Sequence, residues 1–67
     1  MTENNRGYTD MKFYVVCWVE KDTVETKIYK NLKSAEKFGC RMMIAHNTRV
    51  DINTYIDGKC IDSAHYN

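Results

Sequence analysis

The chain contains no proline and only three glycines among its 67 residues. Its turns must therefore come from polar residues and from the single Asp57-Gly58 pair. No run approaches the ~20 apolar residues of a membrane span. The amino-terminal stretch MTENNRGYTD lacks the apolar centre of a signal peptide. There is no C-x-x-C pair, and the cysteines (Cys17, Cys40 and Cys60) are odd in number. That count argues against the even disulfide framework of a small secreted domain, so the thiols read as reduced and the location as cytoplasmic. A glycine-rich phosphate loop is also missing. The formal net charge of +1 selects no partner by itself.

What is present is ordinary globular composition, with 43% hydrophobic and 28% charged residues. The length allows one domain, and a domain this small buries only roughly 60% of its unfolded surface. Residues 1–10 read as a disordered lead, with Met11 an alternative start, and residues 11–67 as the domain.

The segment KFYVVCWVE, Lys12 to Glu20, is rich in β-branched and aromatic residues and predicts a strand. A polar turn follows, and Val24 to Lys30 returns as a second strand. A four-residue loop pairs Val19 with Val24, Cys17 with Thr26, Val15 with Ile28 and Phe13 with Lys30. Leu32 to His46 reads as a helix, with Asn31 or Ser34 able to cap its start. Its apolar stripe is Ala35, Phe38, Gly39, Met42 and Ala45. Gly39 costs ~1 kcal/mol in a helix interior relative to alanine, which close approach to a sheet would offset. Asn47 suits a left-handed C-cap. Val50, Ile52 and Ile56 alternate along a third strand, Asp57-Gly58 makes a two-residue hairpin turn, and Lys59 to about Tyr66 returns, with Ile61 facing Thr54. The expectation is an α+β fold in the order ββαββ, a four-stranded antiparallel sheet with one helix packed on one face. Strand order does not follow from these patterns.

The matching alternation of the hairpins predicts Phe13, Val15, Cys17, Ile28, Ile52, Ile56 and Ile61 under the helix. Tyr14, Val16, Trp18, Tyr29, Tyr55 and Cys60 would then occupy a face that one helix cannot cover. An aromatic open face suits binding, because Trp and Tyr offer broad area with a polar tip. Three readings stay open: tyrosines that lie flat as amphipathic surface residues or are covered by the N-terminal arm, a homodimer through the uncovered face, or a foreign protein partner.

Lys33, Lys37 and Arg41 follow at i, i+4 and i+8 and form one stripe on the helix. Residues 27–49 carry six basic residues against Glu36 alone, whereas the remainder carries four basic and eight acidic ones. A nearly neutral chain thus holds a dipolar surface. The candidate partner-binding residues are Tyr14, Trp18, Tyr29, Tyr55, Lys33, Lys37 and Arg41. Phosphates or an acidic protein surface would suit the stripe, so nucleic-acid binding is the alternative class.

No catalytic constellation emerges. His46 suits a helix C-terminus, His65 lies near the chain end, and no histidine is placed to activate a cysteine. Cys60, Asp62 and His65 lack the spacing of zinc ligands, since His65 has the opposite strand parity. The expectation is a protein without enzymatic activity, cofactor or metal.

The aromatic first strand MKFYVVCWVE, the helix and the closing TYIDGKCID span about residues 11–62. In order of elements they resemble small phage-encoded accessory proteins that bind and inhibit host or defence factors, and are similar to the family of the phage antitoxin Dmd. The resemblance implies a stoichiometric inhibitor of a host toxin or defence protein, working in the host cytoplasm. It carries no site residue over, because no motif of the family is matched.

Overall fold

The structure is a computed structural model and describes residues 12–66. The expected lead at 1–10 lies outside the described residues. The elements are β1 (Lys12–Glu20), β2 (Thr23–Tyr29), α1 (Leu32–His46), β3 (Val50–Ile56) and β4 (Lys59–Tyr66). The four strands form one antiparallel sheet in the order β2-β1-β3-β4. The ββαββ fold with a single helix on the sheet is as the sequence predicts.

Local chemistry sets the boundaries. Lys21 and Asp22 both adopt positive φ, 53° and 66°, and Glu20 pairs with Thr23. The first hairpin therefore closes through two residues rather than four, while its register runs as expected, with Val19 opposite Val24 and Val15 opposite Ile28. Asp57 and Gly58 have φ of 57° and 80°, as a two-residue turn of the mirror-image type requires. Asn31 caps α1, its side chain accepting from the Ser34 backbone N–H at 3.1 Å. Asn47 closes the helix in the left-handed region, its N–H donating to the Met43 carbonyl.

The helix lies chiefly over β1 and β3. Under it are Tyr14, Val16, Trp18, Val50 and Ile52, packed against Ala35, with Tyr29, Phe38, Met42 and Met43 at the margin. Gly39 is where the layers meet. A Cβ there would sit 3.1 Å from Val50 Cγ1, 3.6 Å from Ile52 Cδ1 and 3.7 Å from Val16 Cγ1. The glycine is thus offset by close approach, as its position implies.

The first hairpin presents the face opposite to the predicted one. β1 is apolar on both sides, so its own alternation does not choose. β3 does choose, because Val50 and Ile52 alternate with Asp51 and Asn53. The register between the hairpins sets Val16 beside Ile52 and Trp18 beside Val50. Cross-strand neighbours share a face, so Tyr14, Val16 and Trp18 go under the helix, and Phe13, Val15, Cys17 and Val19 point away from it. β2 follows its partner. Its charged Glu25 and Lys27 fall on the helix side, and its apolar Val24 and Ile28 on the open side, 69% and 62% exposed.

A second correction concerns β4. The pairing steps from Tyr55–Cys60 to Thr54–Asp62, so Ile61 is the extra residue of a bulge. Ile61 does not face Thr54 and is 56% exposed. The step also separates Cys60 from Asp62, which lie on opposite sides of the sheet.

Candidate functional interface

The open face is built from alternate residues of all four strands. β1 supplies Phe13, Val15, Cys17 and Val19, and β2 supplies Val24, Thr26 and Ile28. β3 supplies Asp51, Asn53 and Tyr55, and β4 Ser63 and His65. Phe13 and Tyr55 are cross-strand partners, stacked with centroids 5.2 Å apart and rings 1° from parallel. Such a pair adds about 0.5–1.5 kcal/mol beyond its area and leaves a flat aromatic plate at one end of the face. Val15, Val24 and Ile28 extend it as an aliphatic surface.

Polar groups gather toward β3 and β4. Asp51 Oδ1 accepts from Arg49 Nε at 3.0 Å and lies 2.8 Å from His65 Nδ1. Arg49 Nη2 is 2.9 Å from that same ring nitrogen. The hydrogen bond with His65 does most to hold the Asp51 carboxyl below its ordinary range; burial, the next largest influence, opposes it, and Arg49 adds to the lowering. Ser63 Oγ donates to Asn53 Oδ1 at 2.8 Å. The face is therefore apolar over β1 and β2 and self-satisfied over β3 and β4.

The site residues expected from sequence divide. Tyr14 and Trp18 are core residues, 9% and 8% exposed, and Tyr29 is half-buried beside them. Trp18 meets Phe38 edge-on at 5.0 Å, and Tyr29 lies 5.6 Å from the same ring. Trp18 Nε1 donates to Glu20 Oε1 at 3.2 Å, and Glu20 in turn lies 3.4 Å from His46 Nε2 near the helix end. These three aromatics fasten the helix to the sheet and are not on the open face. Tyr55 is on that face. Lys33, Lys37 and Arg41 are exposed on the helix, on the far side of the molecule from Tyr55. Lys27 is drawn over Phe38 and Tyr29, 5.0 and 5.5 Å from their centroids, and so covers the margin of the core.

Cys17 lies on the open face, half-buried, rather than in the core beneath the helix. Burial and, secondarily, the Asp51 charge push its thiol above its ordinary range. A thiol so placed is a weak nucleophile at neutral pH. It edges a shallow depression of about 310 Å³ with Trp18, Val24, Arg49 and Asp51. His65 lies against Asp51 and Arg49, its Nδ1 able to serve one of them at a time, rather than against Cys17. Among the described residues no three His, Cys, Asp or Glu side chains gather to hold a metal ion. No helix among them is long and apolar enough to cross a membrane.

Sequence reasoning missed Phe13, Val15, Val24 and Ile28 as surface residues, and the Arg49–Asp51–His65 group altogether. The alternation of each was visible. What the sequence does not carry is the register between the two hairpins, which decides the side. No protein-family model, curated protein or solved structure matches this chain.

Proposed function

We propose that this chain is a small non-enzymatic protein-binding module that acts by stoichiometric occlusion through its open sheet face. One observation carries the reading. β2 turns its apolar side, Val24 and Ile28, away from the helix and leaves Glu25 half-buried. An antiparallel sheet with one wet face normally shows polar residues there. Apolar residues on three adjacent strands, with the Phe13–Tyr55 plate among them, instead make a continuous surface of the kind that a protein partner covers. The resemblance to phage accessory inhibitors supplies the class of target: a host toxin or defence protein, which the module would block as an antitoxin does.

The alternative, a nucleic-acid-binding regulator, combined a basic stripe with stacking aromatics. Lys33, Lys37 and Arg41 lie on the helix, whereas the aromatic pair lies on the opposite face, so one nucleic-acid strand would not meet both. Phosphate binding weakens steeply with salt, whereas apolar contact does not.

The test is capture of target from host lysate by wild type, Ile28→Glu and Lys37→Glu, at low and high salt. Loss with Ile28→Glu alone, independent of salt, is the expected result. Retention by Ile28→Glu, or loss with Lys37→Glu and salt, would overturn the assignment.

A further inference from the structure

We propose that the occupant of the open sheet face, in the protein on its own, is a second copy of this chain, stacked face to face about a two-fold axis. The inference rests on the reading of that face as a binding surface, and names its partner.

Charge, area and composition carry it. Among the strand residues that point to this face, Asp51 is the one with a formal charge when histidine is neutral, and Arg49 lies 3.0 Å from it. The apolar part over β1 and β2 therefore selects neither an acidic nor a basic partner. It meets its own copy without like-charge repulsion, as an isologous contact requires. The helix side, with Lys33, Lys37 and Arg41, does not have this property.

Size suits a weak dimer. Four strands about 4.8 Å apart and seven residues rising about 3.3 Å each give a face of roughly 19 by 23 Å. Two such faces remove about 900 Å² before side-chain relief is counted, just under the ~1,000 Å² at which specific interfaces begin, which fits a dimer that forms at high protein concentration. Aligned sheets pack about 10 Å apart, with inner side chains interleaving. Val15, Val24, Ile28 and the Phe13–Tyr55 plate would form the dry centre, with Asp51, Ser63 and His65 as the polar rim. Residues 1–11 are a poorer match for the surface, since Met1, Tyr8 and Met11 are their only large apolar side chains. A chain of 67 residues also gains from a third layer, because one sheet and one helix bury little.

The experiment is sedimentation equilibrium of the full chain from micromolar to millimolar, for wild type, Ile28→Glu and Lys37→Glu, with an apolar fluorescent dye added in parallel. Wild type and Lys37→Glu should rise from the 7.9 kDa monomer toward twice that mass. Ile28→Glu should associate at least about tenfold more weakly, with unchanged circular dichroism. Val24→Glu, at the other end of β2, should do the same. Wild type that stays monomeric, yet binds dye that Ile28→Glu does not, would overturn the second copy and leave the binding face standing. A monomer that binds no dye would overturn both. A dimer indifferent to both glutamates would place the contact elsewhere and overturn the proposal.

Discussion

Truncating Trp18 to alanine should come close to unfolding the domain, whereas replacing Ile28 by serine should hardly change its stability. Trp18 is 8% exposed and holds Phe38 of the helix at 5.0 Å. Removing a buried aromatic of this size costs about 3–5 kcal/mol, since the transfer energy and the cavity add. A chain of 67 residues has roughly 3–10 kcal/mol in total, so the loss consumes a third of the stability or all of it. Ile28 is 62% exposed. Full burial of such a side chain contributes about 1.5–3 kcal/mol, and the fraction at stake here is roughly 0.5–1 kcal/mol. Urea unfolding followed by far-ultraviolet circular dichroism at low micromolar protein measures both. If Ile28→Ser matches or exceeds Trp18→Ala, hairpin 1 faces the other way and the reasoning fails.

Other outcomes follow from the same geometry. Gly39→Ala should be within about 1 kcal/mol of wild type, because its helix propensity gain is offset by a 3.1 Å contact with Val50. Gly39→Leu should cost more than about 2 kcal/mol by forcing helix and sheet apart; thermal melts separate the two. Asn31→Ala should cost about 1 kcal/mol through loss of the N-cap, again read by melting. Asp51 stabilises the fold above its ordinary value of 3.8 and loses that contribution as pH falls through its depressed folded value. Asp51→Asn should therefore flatten the acid limb of stability as pH falls below the ordinary carboxylate range, as measured by urea midpoints. Cys17 should alkylate more slowly than the exposed Cys40 and Cys60 at pH 8; mass spectrometry of iodoacetamide-treated protein reports the order.

Much of the fold is written locally. Asp57-Gly58 dictates its turn, Asn31 and Asn47 bound the helix, and Val19 opposite Val24 follows from alternation within one hairpin. The site is not local. Which side of β1 meets the helix depends on Trp18 lying beside Val50, a contact between residues 32 positions apart in sequence. Because β1 is apolar on both sides, a preference for burying Val15 with Ile28 looks as good as one for Tyr14 with Tyr29. The register with β3 decides, and the rings of Trp18 and Tyr29 then pack beside Phe38. Ile61 escaped for a similar reason: a bulge is a property of the pair of strands, and Lys59 to Tyr66 alone does not reveal it. Tyr14, Trp18 and Tyr29, three of the four aromatics that suggested a binding face, thus belong to the core or its margin, while Phe13, Val15 and Ile28, which suggested a core, lie on the open face with Tyr55.

The ring protons of Phe38 give the most direct test of that exchange. A nuclear Overhauser spectrum should connect Phe38 to Trp18 and Tyr29, whose centroids lie 5.0 and 5.6 Å away. Cross-peaks from Phe38 to Phe13, Val15 or Ile28 instead would contradict the account and return the open face to the tyrosines and tryptophan.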